Sequence, residues 1–531
     1  MLRALLMASL HCPNPECPFL KKFKAPAEFR EGFSTCSDCG SALVAGSAPT
    51  PAPVVAVAEQ APELAASLPR AQGASSDFTR RGVVSLAALI AAALSNQVLL
   101  PGIDPFVLET IEMAGMPSDS VMSLGVFSLA LNPLLPAFII VELAALLIPP
   151  WRRLRVGGPR ERARLRTAAL VLGLAFALVQ AFGMVQFYSN FDYEGRTLFS
   201  GPSALPMPVT ALVLVGAVVA LHLLTMLVDR AGLGSGYGVV LVGLSLPAGA
   251  SAVSRLWMSA QQGRLGTGEL VLVALGFAGI VWGTVLLLRG RVQGHGGGTE
   301  RPRWLPLPAS GIAPLSFAGV VLAVPGGVGM LLDEPGLLEV RQALEGNLLV
   351  YSFLFFVLMS LLTAGFSVLF HQPRHVGAVW AGLTAKEPAE RSVVQGRAAL
   401  RARELLPTAA AWSLAFMTLA WLPPLLASGM LNVPLPSALA LLLAVAVALD
   451  LFDEARMRRA GTWTRAWPVH RPYEVEPALA ALTAAGIAAW AQGVHARTLL
   501  QFFGPYLSIE LMVPPDRAQE AQALLEKSRQ P

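Results

Sequence analysis

All four cysteines of the chain stand near its start, as Cys12, Cys17, Cys36 and Cys39. They form two pairs, C-x4-C and C-x2-C, separated by eighteen residues. The chemistry open to them is metal ligation or disulfide formation. Paired thiolates at this spacing close a tetrahedral site around Zn²⁺, and Gly40 after Cys39 suits the tight turn of such a knuckle. All four ligands would be protein groups, which makes the zinc structural. The competing readings are two disulfides in an exported domain, or four thiols with no ligand. Disulfides require an export signal, but MLRALLMASLH has only a short apolar run and no small-residue cleavage site, and His11 precedes Cys12. Arg80 and Arg81 hold the segment on the cytoplasmic side, where thiols stay reduced.

No other constellation suggests catalysis. The seven histidines are scattered, and His222 stands alone in an apolar run, as a helix-packing residue does. No glycine-rich loop is followed by Lys-Ser or Lys-Thr, so a P-loop is not expected. The chain reads as a non-enzyme whose energy for any transport comes from a partner.

The elements around the cysteines are of a different kind. The chain has 531 residues, 54% of them hydrophobic and only 14% charged, with a mean hydropathy of +0.58. That composition belongs to a polytopic membrane protein. Ten apolar stretches approach the roughly 20 residues that cross a bilayer. They lie at 82–100, 124–149, 167–189, 207–229, 236–256, 268–289, 312–330, 347–370, 408–427 and 436–452. The connections alternate in charge. Residues 151–166, WRRLRVGGPRERARLR, carry seven arginines, and 290–304, 371–407 and 456–465 are arginine-rich too. Residues 101–120 have four acids and no base, and 331–347 have four acids and one base. The positive-inside rule therefore places both termini in the cytoplasm, with an even number of spans. The basic pI of 9.2 reflects a compositional bias toward Arg, Ala, Pro and Gly, and no nucleic acid is expected as a direct partner. Residues 1–44 read as a zinc ribbon, 45–79 as an Ala/Pro-rich linker, 80–465 as the membrane domain and 466–531 as a small soluble module.

Between the fourth and fifth stretches, Gly232, Gly234, Gly236 and Gly238 occupy alternate positions. Alternate glycines fall on opposite sides of a helix, so they suit a tight turn better than a packing seam. The membrane domain resembles the SecY family, the channel subunit of the bacterial Sec protein translocon. The resemblance rests on motifs in family order over about 82–465: Pro101-Gly102-Ile103-Asp104, VFSLALNPLLPAFIIVELAALLIP in the second span, LGLAFALVQAFGM in the third, the glycine turn, PASGIAPLSFAG at the seventh, and AVAVALD ending at Asp450.

The resemblance implies an all-α bundle of ten transmembrane helices in two halves, in the bacterial inner membrane, that conducts unfolded polypeptide or releases it sideways into lipid. It implies a pore ring at Leu135, Ile139, Leu241, Ser245, Ser316 and Leu443, a lateral-gate residue at Gln180, and the glycine turn on the cytoplasmic face. It further implies a SecE-like small membrane subunit, and a motor ATPase or ribosome docking on the connection 371–407, through Arg391, Arg397, Arg401 and Arg403. Departures accompany these expectations. Two ring positions are serine, the stretch after PGID is shorter than the family's, which points to a reduced plug, Pro308 replaces the family's asparagine, and Glu142 stands where the family has glutamine. An ionisable group within a span is costly and draws attention as a functional candidate, but Glu142 lies within two turns of the cytoplasmic end, which favours a structural or interfacial, snorkelling placement.

Residues 466–531 read strand, helix, strand, strand, helix: a helix at 474–485, a strand in IAAWAQGV, a strand in YLSIELMVP, and a last helix capped by Asp516. The pattern is that of a small ferredoxin-like α+β module, and VPPDRAQEAQALL resembles the ending of a GlnB-like signal-transducing domain. Two functions compete. One is a specialised protein-conducting or membrane-inserting channel with cytoplasmic sensory modules. The other is a membrane-anchored regulatory scaffold that kept the fold without transport.

Overall fold

The computed structural model describes residues 10–12, 17, 28–29, 34–45, 74–103, 125–156, 159–189, 192–193, 196–197, 199, 205–292, 305–319, 321–322, 335–385, 388–431, 438–503 and 507–527. Near the start, β1 (Leu10–His11) pairs antiparallel with both β2 (Glu28–Phe29) and β3 (Val44–Ala45). The helices follow: α1 (Ala74–Ser95), α2 (Leu134–Leu147), α3 (Pro149–Val156), α4 (Pro159–Ser189), α5 (Met207–Ala231), α6 (Gly236–Gln261) and α7 (Thr267–Arg289). Then come α8 over 313–319 and 321–322, α9 (Pro335–Gly346), α10 (Leu348–Phe370), α11 (Pro373–Thr384), α12 (Pro388–Leu431) and α13 (Ala438–Ala460).

Helix is the economical answer for such sequences, because lipid offers no partner to an unpaired backbone group. Each of the ten expected stretches contains helix. Among the described residues, seven helices are long and apolar enough to cross a membrane, or eight if the bent pair α2–α3 counts as one. The other two stretches belong to α8, described only as far as 322, and to α13, whose last turns carry Asp450, Asp453, Glu454, Arg456, Arg458 and Arg459.

Two boundaries depart from the hydropathy reading. The stretch 124–149 is helical only from Leu134, and 126–133 form successive turns. Pro133 accounts for this: it disfavours helical backbone at Asn132, but is itself compatible with a helix start. At the far end Pro149 and Pro150 cannot continue the ladder, Ile148 is extended, and the chain bends by 110° into α3. The connection 371–407 is not an open loop. It is a helical hairpin of α11 and the first half of α12. At 44 residues α12 is about 66 Å long, about twice the bilayer core. Its arginine-bearing half therefore extends beyond any membrane. The stretch assigned to a reduced plug lies outside the described residues.

The C-terminal module holds β4 (Thr464–Val469), α14 (Val475–Ala484), β5 (Trp490–Gln492), α15 (Val494–Leu499), β6 (Ile509–Val513) and α16 (Ala518–Lys527). Its sheet is antiparallel with order β4-β6-β5. The strand expected in IAAWAQGV survives for three residues only. Gly493 then takes φ +79° and starts a helix that the pattern did not foretell. Asp516 is not a side-chain cap; it lies inside a 3₁₀ turn over Pro515–Arg517.

Candidate functional site

The four helices that carry the expected ring are α2, α6, α8 and α13. Leu135, Leu241 and Leu443 belong to or pack on one shared apolar cluster that includes Phe138, Val240 and Leu442. Ile139 packs on a second cluster with Leu146, Ala313 and Phe370. The Ser245 hydroxyl donates to the Leu241 carbonyl at 2.8 Å. Ser316 is exposed on α8, beside half-buried Leu315 and Phe317. Gln180 is exposed on α4.

One end of the bundle is dense with polar contacts, and the glycine run lies there. Gly232–Ser235 form the turn between α5 and α6. Gly234 has φ +78°, which disfavours any side chain. A Cβ on Gly236 would lie 2.0 Å from the Thr225 carbonyl oxygen. The turn is pinned from three sides. The Ser85 hydroxyl accepts from the Leu233 N–H at 2.7 Å, Glu454 accepts from the Gly234 N–H at 2.6 Å, and Asp229 accepts from the Gly236 N–H at 2.7 Å. Glu454 is fully buried and pairs with Arg458 at 2.6 Å. Its other oxygen also accepts from Gln492 of the C-terminal module at 2.8 Å.

Glu142 is buried in α2, and the bend into α3 brings Arg155 back to it at 2.6 Å. The charge that looked anomalous in an apolar run thus has a partner supplied by the next helix. His222 is bonded to the Tyr237 hydroxyl at 2.7 Å, in keeping with a packing residue.

The C-terminal module is seated on this same end. Asp450 of α13 accepts from the backbone N–H groups of His495 at 2.9 Å and Ala496 at 2.8 Å, which starts α15. The Leu499 carbonyl accepts from the Ile312 N–H at 2.9 Å. Gln501 donates to the Pro308 and Ala309 carbonyls at 3.1 and 3.0 Å. Phe502 is 2% exposed and packs edge-on against Phe366 and Phe370, with centroids at 4.9 and 4.8 Å. Phe503 meets Phe138 at 5.6 Å. Tyr473 and Val376 bury together, so α11 also faces the module. A polar cavity of about 210 Å³ remains in the seam, with Arg166, Asp229, Arg465 and Glu510 in its wall. Of the expected docking arginines, Arg397 and Arg403 are exposed on α12, Arg401 pairs with Glu404 at 3.6 Å, and Arg391 is half-buried.

The sequence reading missed the aromatic pair and Gln501. The available signal was LLQFF, a nonperiodic apolar run inside an otherwise soluble module.

The cysteines form a separate centre. Their four sulfur atoms all lie within 4.8 Å of one another. Cys12 and Cys39 are 3.4 Å apart and Cys17 and Cys36 are 3.8 Å apart, as thiols and not disulfides. Zinc–sulfur bonds of about 2.3 Å in a tetrahedron demand sulfur–sulfur edges of about 3.8 Å. The donor set therefore fits a tetrahedral metal. Hydrogen bonding with the Ser41 side chain and backbone pulls the Cys39 thiol down to about 6, toward the thiolate a metal requires.

Comparison with known proteins follows from this geometry. A family model described as SecY matches residues 125–452. The chain is 24% identical over 286 residues to the protein translocase subunit SecY of Streptomyces coelicolor, covering 47% of this chain and 63% of that protein. It is also 24% identical over 278 residues to the protein translocase subunit SecY of Escherichia coli K12, covering 48% and 62%. The matches thus span less than two thirds of those relatives. A solved structure described as "The structure of a protein conducting channel" aligns with a TM-score of 0.44 at 15% identity, covering 72% of this chain and 92% of the other.

Proposed function

The chain belongs to the SecY family, and from that premise we propose that it is a protein-conducting or membrane-inserting channel specialised by its two end modules. The observation that carries the proposal is the extent of the family match. Residues 125–452 include every expected ring position, from Leu135 to Leu443. The polypeptide passes along the axis between α2, α6, α8 and α13. Leu135, Ile139, Leu241 and Leu443 form the apolar part of the seal, and Ser245 and Ser316 its wetter part. Gln180 belongs to the lateral gate. The protein is a multi-pass inner-membrane protein with both termini cytoplasmic, and no chemistry of its own drives transport. A SecE-like subunit clamps it, and a motor ATPase or a ribosome delivers the chain toward the arginine face of α12.

Cys12, Cys17, Cys36 and Cys39 hold one structural Zn²⁺, which when bound supplies folding energy to a module too small for a core. The C-terminal module, GlnB-like in its ending, is regulatory.

The test is site-specific cross-linking in native membranes. Photoreactive groups at 135, 139 and 443 should capture an arrested nascent chain that carries an apolar signal segment. If no position captures a chain in any form of the protein, and no SecE-like subunit copurifies, the membrane-anchored scaffold becomes the better reading.

A further inference from the structure

We propose that the segment Val494–Phe503 of the C-terminal module is a built-in stopper of the channel mouth, which the module withdraws before a polypeptide enters. The inference rests on the channel reading above and concerns how that same pore is regulated.

The segment reaches each of the four ring-bearing helices, directly or through one intervening side chain. Asp450 of α13 holds the N–H groups of His495 and Ala496. The entry to α8 bonds Leu499 through Ile312 and bonds Gln501 through Pro308 and Ala309. On α2, Ile139, Leu143 and Leu146 share one apolar cluster with Phe502. Phe138 of α2 lies between Phe503, at 5.6 Å, and Tyr237 of α6, at 5.8 Å. One segment thus meets all four ring-bearing helices at one end of the bundle. Ile139, itself an expected ring position, packs in the same cluster as Phe502.

The seat is shaped for this occupant. Gly311 takes φ +62°, and a Cβ there would lie 2.5 Å from the Leu499 carbonyl oxygen. A side chain at 311 would force either this turn or the segment to shift. The occupant is equally particular. Leu499, Leu500, Phe502 and Phe503 are all buried by the docking, yet they belong to a module with its own core of Val469, Leu482, Ile509 and Leu511. They are surplus to that core and would form an exposed apolar patch if the module stood alone. A polar cavity bordered by Arg465 and Glu510 lies beside the segment, and the module is joined covalently to α13 by Gly461–Trp463 and held to it by Asp450 and Glu454.

The experiment uses the full-length protein in planar bilayers and, separately, with a ribosome-bound arrested chain. Phe502→Ser loosens the segment from the module side, and Gly311→Ala displaces it from the channel side. Each should raise resting conductance by about tenfold or more, because the closed population falls when its contacts are removed. Each should also increase cross-linking of the arrested chain to position 135. Suppose both variants elute as monodisperse protein, conduct no more than wild type, and capture the chain at 135 as wild type does. The stopper is then overturned while the channel stands. If no form conducts or captures a chain, the channel reading falls and the stopper with it. A photoreactive phenylalanine analogue at 502, in an otherwise unchanged chain, covers the case of misfolded variants. Its cross-link to α8 or α10 should weaken when substrate engages, and a cross-link unchanged by substrate overturns the proposal.

Discussion

Glu142 is a buried carboxylate held by one guanidinium, 2.6 Å away. Removing Arg155 leaves that charge without its partner in an apolar wall. Arg155→Ala should destabilise the protein by about 3–5 kcal/mol, whereas the double change Glu142→Leu with Arg155→Leu should recover most of the loss. Thermal unfolding in detergent measures both. Glycine 236 offers a different mechanism, one of space. Gly236→Ala must move the α5–α6 turn, since the new Cβ would overlap the Thr225 carbonyl. A loss of about 1–3 kcal/mol is expected from such overpacking, and an unchanged melting temperature would contradict it. At Ser316 the effect is on the seal. In a Phe502→Ser background, Ser316→Ile should lower the conductance, because an apolar wall excludes hydrated ions. The Glu142 anomaly was legible in the sequence, but its partner was not. The two stand thirteen positions apart, and only the bend at Ile148 brings them together.

At the scale of elements, helix was legible wherever lipid enforces it and less so where neighbours decide. IAAWAQGV reads as a strand candidate, but Gly493 turns left-handed and Asp450 accepts two N–H groups just beyond it, so the chain coils into α15. That acceptor sits on a different element, so no local pattern announces it. The cysteine knuckles are the opposite case. Their spacing is local, and the Cys36–Ser41 turn closes through the Gly40 N–H to the Cys36 carbonyl at 2.9 Å. One zinc per full-length chain is expected by metal analysis. Cys36→Ser should abolish that stoichiometry, and a chelator should make residues 1–44 protease-sensitive without altering the membrane domain. A metal-free protein equally resistant to protease would refute the assignment.

For the whole molecule, the charge alternation of the connections predicts its orientation. Reporter fusions after 40, 160, 300 and 465 should all read cytoplasmic, and one after 110 should read the far side. A far-side signal at 465 would mean that α8 or α13 does not cross. The glycine turn and the C-terminal module meet at one end of the bundle. What the sequence determined by itself were the properties set by short-range chemistry and by solvent: where apolar runs become helix, which four thiols converge, where a turn needs glycine, and which family's motifs appear in order. Only the tertiary structure decided that residues 466–531 are no detached appendage. Their docking depends on Phe502, Gln501 and Leu499 meeting Phe370, Ala309 and Ile312, which lie more than a hundred residues away. Pairings of that range leave no periodicity in either partner, because each residue is chosen by the shape of the other surface and not by its own neighbours in the chain.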